Sequence, residues 1–137
     1  MNMGKVVNET VKTISKDRLS KNFVRKEFAC KCGCKLGMND GDINLELVRV
    51  VQDVRDHFGK PVVINSGLRC AFHNSRVGGA SRSQHLFGNA ADIRIAGVNS
   101  KDIYDYLDKK YPDKYGIGRY PSFTHIDVRE KKARWRG

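Results

Sequence analysis

The sequence predicts a small α+β domain in which an antiparallel sheet is covered by packed helices, and three observations carry that expectation. A helical period in the first half (Ile43, Leu47, Val50, Val51, Val54, Phe58) is followed by short β-prone runs at 62–65, 89–95, 116–120 and 123–128. The strands gather toward the C-terminal half with helices before and between them, an order that favours an antiparallel sheet over a βαβ layout. The length of 137 residues, with 39% hydrophobic side chains, supports one core and excludes a second catalytic domain.

Each element has a local reason. In a polar background, Val7, Val11 and Ile14 recur at near-helical spacing, so residues 1–18 read as a lead-in helix or arm ahead of a folded domain over 19–137. Phe23 and Phe28 anchor the next segment before CKCGCKLGMNDGD, where glycine and aspartate mark a loop. The apolar positions from Ile43 to Phe58 form one helical face that Gly59 and Pro61 close. The β-branched run 62–65 leads into SGLRC and a glycine-rich stretch over 77–88. In 89–95, Ala90 and Asp92 point one way and Ala91 and Ile93 the other, as a strand requires. A cap at Asn99 or Ser100 opens a helix carrying Ile103, Tyr104, Leu107 and Tyr111, which ends before Pro112. The runs 116–120 and 123–128 read as a hairpin around Pro121 and Ser122. There is no internal repeat and no low-complexity tract.

Lysine and arginine outnumber aspartate and glutamate by 26 to 15, a formal charge of +11 that points to a polyanionic partner. Nucleic acid, an anionic wall polymer and an anionic membrane surface all answer to such a field, so its sign does not choose among them. The clusters at 5–26 and 129–136 are equally compatible with solvated ends. No apolar stretch approaches the roughly 20 residues of a membrane-spanning helix. The expectation is therefore a chain made in the cytoplasm, since Lys5 is followed by no apolar secretory run.

Four histidines occur: His57, His73, His85 and His125. His85 stands seven residues before Asp92 across the Leu86-Phe87-Gly88 loop, and His125 shares a strand face with Asp127. His85, Asp92 and His125 offer the imidazole and carboxylate ligands of a zinc site with one position left open. The alternative at this level is a set of ordinary hydrogen-bonded polar residues near strand ends. His57, at the polar edge of the long helix, is expected to meet only solvent, and His73 either lines a cleft or lies on the surface.

In SRSQHLFGNAADI, residues Ser83, His85, Gly88, Ala90 and Asp92 fill every fixed position of an S-x-H-x-x-G-x-A-x-D pattern. With SGLRC upstream and SFTHIDV downstream, the chain from about Leu19 to Trp135 resembles the zinc D-Ala-D-Ala carboxypeptidases and related phage wall endopeptidases of hedgehog-like fold. The resemblance implies zinc on His85, Asp92 and His125, with Arg69 as the cation facing the substrate and Ser83 beside it. Zinc so held acidifies bound water and polarises a scissile carbonyl, while a guanidinium can grip a carboxylate or a developing oxyanion. Gly88 and Ala90 are expected to leave room for metal and substrate.

One position departs from that pattern. Many relatives carry an acid three residues before the last zinc histidine, where this chain has Ser122. Asp127 is the substitute, expected to accept the proton of the metal-bound water or to position that water. Its alternative role is to orient a ligand histidine through the other ring nitrogen.

Cys30, Cys32 and Cys34 alternate, and Cys70 adjoins Arg69. The spacing differs from the usual C-x₂-C zinc modules. A second, structural zinc, two disulfides or reduced thiols are the three readings.

The leading function is a zinc metallopeptidase that hydrolyses peptidoglycan stem peptides, as carboxypeptidase or endopeptidase. It would be monomeric and would act on the wall after release, as in bacteriophage lysis by an endolysin or a virion-borne enzyme. Two alternatives stand beside it. One is a basic nucleic-acid-binding module with C-x-C-x-C as a zinc knuckle and KKARWRG as a stacking arm. The other is a zinc scaffold that binds cell wall without catalysis.

Overall fold

The computed structural model describes residues 17–137, so the lead-in arm expected over 1–18 lies almost entirely outside the described residues. A short helix α1 (Arg25–Phe28) precedes the long α2 (Leu45–Phe58), then β1 (Val62–Ser66), α3 (Ala71–Arg76), a single 3₁₀ turn (Gln84–Phe87) and β2 (Ala90–Ile95). Helix α4 (Ser100–Lys110), β3 (Gly116–Arg119), β4 (Thr124–Asp127) and β5 (Ala133–Arg136) complete the chain. The five strands lie in the order β1-β2-β4-β3-β5. The α+β class is as expected, with one difference in the sheet: β5 runs parallel to β3, whereas all other pairs are antiparallel.

The long helix begins where a side chain can satisfy its first free amides. Asn44 accepts a hydrogen bond from the Glu46 N–H at 2.9 Å, and Gly59 ends the helix with φ 64°. Its apolar face, Leu47, Val48, Val50, Val51 and Val54, packs with Ile103 and Leu107 of α4 on one side of the sheet. Ile64, Ala91, Ile93, Ile117 and Ile126 supply the sheet's half of that core. Because strand side chains alternate, the opposite face carries what the core does not use.

That second face is a row across all five strands. Ser66 pairs with Asp92, Asp92 with His125, His125 with Gly118, and Gly118 with Trp135. Gly118 has no side chain because the Trp135 indole occupies its place; a Cβ there would overlap the ring. The basic aromatic stretch KKARWRG is therefore built into a strand rather than extended as a free arm. His57, expected to meet only solvent, stacks on Tyr106 with ring centroids 3.8 Å apart.

Candidate metal centre and cleft

The polar row places three ligand-type atoms together. His85 Nε2 lies 3.2 Å and His125 Nδ1 3.0 Å from the same Asp92 oxygen, Oδ1, and the three ligand atoms all fall within 4.8 Å of one another. His85 reaches the sheet from the 3₁₀ turn, which Ser83 caps by accepting the His85 backbone N–H at 3.2 Å. The turn then stops at Gly88, φ 71°, where a Cβ would overlap the Asp42 carbonyl oxygen. Gly88 thus makes room for the Asp42 backbone and not, as expected from the motif, for metal and substrate.

The outer nitrogens of both rings are already committed. His85 Nδ1 donates to the Gly67 carbonyl at 2.7 Å, which leaves its Nε2 lone pair facing Asp92. His125 Nε2 donates to Asp127 Oδ2 at 2.7 Å, which leaves its Nδ1 lone pair facing the same carboxylate. Two lone pairs and a carboxylate oxygen converging in a buried site are an electrostatic demand for a cation, and the donor set suits zinc. Among the described residues, His85, Asp92 and His125 are all buried. Burial alone would lower the His125 pKa, but with no cation bound the Asp127 and Asp92 carboxylates on either edge of the ring favour its protonated form and hold it above the ordinary imidazole value, so a metal ion would take the place of the Nδ1 proton. Burial likewise would raise Asp92, yet the two histidines hold its carboxyl well below the carboxylate range.

Asp127 does not occupy the position expected of a base. Its carboxylate is fully buried on the far edge of the His125 ring, where it also accepts from the Arg129 backbone N–H and twice from the Arg129 guanidinium at 2.7 Å. With every approach taken by a donor, it is placed to orient His125. Ser122 is exposed in the hairpin turn and is absent from the cleft lining.

A cleft of about 570 Å³ opens over His85, Asp92 and His125. Arg69, Arg82 and Arg129 give it positive charge, Tyr120, Phe123 and Trp135 give it an aromatic wall, and Ser83 lies on its rim. Asp92 is the one carboxylate among the described residues that line it. Arg69 is held by three bonds, Nε to Ser66 at 2.9 Å, Nη1 to Asn74 at 3.2 Å and Nη2 to Asp92 Oδ2 at 3.1 Å. A guanidinium has five N–H donors, so two remain for a ligand in the cleft. His73 does not line the cleft: it sits on α3, whose cap it forms part of by donating its backbone N–H to Cys70 Sγ at 3.3 Å.

No sequence motif marks Arg82, Arg129, Tyr120 or Phe123, and Trp135 has a role in the sequence only as part of the stacking arm of the nucleic-acid alternative. One available signal was the pair Gly116 and Gly118, two glycines on one strand face, which mark bulky neighbours above that face. Over Gly116 those neighbours are Asp127 and Arg129, and over Gly118 the neighbour is Trp135.

Comparison with known proteins agrees with this geometry. The family model described as peptidase M15 matches residues 21–127, and the chain belongs to that family. A zinc D-Ala-D-Ala carboxypeptidase of Streptomyces albus G is 48% identical over 44 residues, which cover 31% of this chain and 17% of that protein. The chain thus aligns with a small part of that relative's length.

Proposed function

We propose that the protein is a zinc-dependent peptidase that hydrolyses stem peptides of bacterial peptidoglycan, with zinc on His85, Asp92 and His125. The observation that carries this reading is the convergence of His85 Nε2, Asp92 Oδ1 and His125 Nδ1 at the floor of a cationic cleft. Membership of the M15 peptidases and the substrate in the name of the Streptomyces relative support it. The chemistry such an ion supplies is polarisation of the scissile carbonyl and activation of water at neutral pH.

The chain's own residues prepare that chemistry. Gly67 and Asp127 fix the two imidazole tautomers, so both rings present lone pairs without rearrangement. Arg69 holds the second oxygen of Asp92 and offers its remaining donors to a substrate carboxylate or to the charge that develops on the carbonyl oxygen. Arg82 and Arg129 extend the positive field to an acid-bearing peptide, and Tyr120, Phe123 and Trp135 exclude water from one side. The net charge of +11 adds attraction to anionic wall polymers. In the chain's biological setting, the proposal is a monomer acting on the wall after release, in phage-type lysis.

Incubating the full chain with purified sacculi, with and without chelator, tests this reading. Chelator-sensitive release of peptide fragments is the expected result, and mass spectra of the muropeptides identify the cleaved bond. Binding to sacculi with no fragment release at any zinc level would favour a non-catalytic scaffold instead.

A further inference from the structure

A second group of metal-binding side chains lies apart from the cleft. Cys30, Cys32, Cys34 and Cys70 are free thiols whose sulfurs all lie within 4.8 Å of one another. Cys30 and Cys32 are 3.5 Å apart, and Cys32 and Cys70 are 3.6 Å apart. Zinc at about 2.3 Å from four tetrahedral sulfurs requires edges of roughly 3.8 Å, so these separations need only small adjustment.

The backbone is shaped to bring them together. In an extended strand, alternate residues stand about 6.6 Å apart. Here Gly33 (φ 90°) and Lys35 (φ 66°) curl the loop so that three alternate cysteines meet one distant partner. Backbone donors are also aimed at the sulfurs, Cys70 N–H to Cys30 Sγ at 3.4 Å and His73 N–H to Cys70 Sγ at 3.3 Å.

We propose that Cys30, Cys32, Cys34 and Cys70 bind a second zinc ion as a closed tetrathiolate site that ties the cysteine loop to the corner carrying Gly67 and Arg69. Binding forms four Zn–S bonds and releases the thiol protons to solvent, with no change of oxidation state. Cys70 follows Arg69 directly, and Leu68 N–H donates to the Phe28 carbonyl at 2.8 Å. Gly67 sits so close to Phe28 that a Cβ would overlap its backbone, and the Gly67 carbonyl is the acceptor that fixes His85. The cysteine metal therefore clamps the backbone from which both Arg69 and the His85 tautomer are set, so it supports the cleft without touching substrate.

The test uses the full chain purified under reducing conditions, with metal analysis and cobalt(II) substitution. Two zinc ions per chain are expected, one for each group. Cobalt should give the intense near-ultraviolet charge-transfer absorption of thiolate ligation. Cys32→Ser and Cys34→Ser should each remove that absorption and lower zinc to one per chain. His85→Ala should also lower zinc to one while keeping the absorption, so failure of the cysteine site and failure of the catalytic site appear in different variants. Should the cysteine variants not fold, wild type and His85→Ala still decide the matter, because zinc must slow alkylation of all four thiols in both. Two disulfides in the native chain, absence of thiolate absorption in both proteins, or alkylation at the same rate with and without zinc would overturn the proposal.

Discussion

The Asp127 carboxylate lies 2.7 Å from His125 Nε2, on the opposite edge of the ring from the nitrogen that faces Asp92. This relationship makes His125 a relay of orientation: a buried acid, itself locked by Arg129, determines which nitrogen would meet a metal held with Asp92 and His85. Asp127→Asn should therefore weaken zinc binding about 10- to 100-fold, with activity returning as zinc is added. A base would behave differently, losing roughly a hundredfold or more in turnover at unchanged zinc affinity. Zinc titrations read in parallel with muropeptide hydrolysis distinguish the two.

His85→Ala and Asp92→Ala each remove one of three converging ligands and should lose both the cleft metal and hydrolysis. Metal analysis after dialysis is the direct measurement. A variant that kept the cleft zinc at full occupancy would mean that the ligand set is wrong.

Arg69→Lys preserves charge but cannot reproduce bonds to Ser66, Asn74 and Asp92 from a single planar fork. The expected loss in kcat/KM is about a hundredfold, the scale of removing one oriented donor at a developing charge. Unchanged efficiency, measured on a defined stem peptide, would assign Arg69 a purely structural role.

Gly88→Ala tests the turn that delivers His85. The left-handed backbone and the Asp42 carbonyl both oppose a methyl group there. Together they should cost roughly 2–4 kcal/mol, a sizeable part of an ordinary domain's stability. The urea midpoint of the metal-free chain measures it, and a midpoint equal to wild type would show that the turn relaxes freely.

Local periodicity and residue chemistry determined much of this protein from the sequence alone. The helical stripe from Leu47 to Val54, the helix at 100–110 and the alternation through Asp92 each follow from spacing along one stretch of chain, and all three elements are present, although Asn99 makes no side-chain capping bond to its helix. The fixed residues around His85 likewise resemble those of the zinc D-Ala-D-Ala carboxypeptidases, in keeping with the chain's place among the M15 peptidases, and two of them, Ser83 and Gly88, prove to be the oxygen cap and the left-handed end of the turn that carries His85. What only the tertiary structure decided was register and long-range pairing. Nothing local in ARWR reveals a parallel partner, yet pairing with β3 converts Trp135 from a candidate arm into a wall of the cleft. Asp127 shares a strand face with His125 under either role, and only the placement of Arg129 and the ring edges puts it behind the histidine rather than beside a substrate. The cysteines are separated by up to 40 residues, and a loop curled at Gly33 and Lys35 was needed to bring them together. In each case the deciding contacts join segments distant in sequence, whose meeting depends on how the whole sheet is paired and covered.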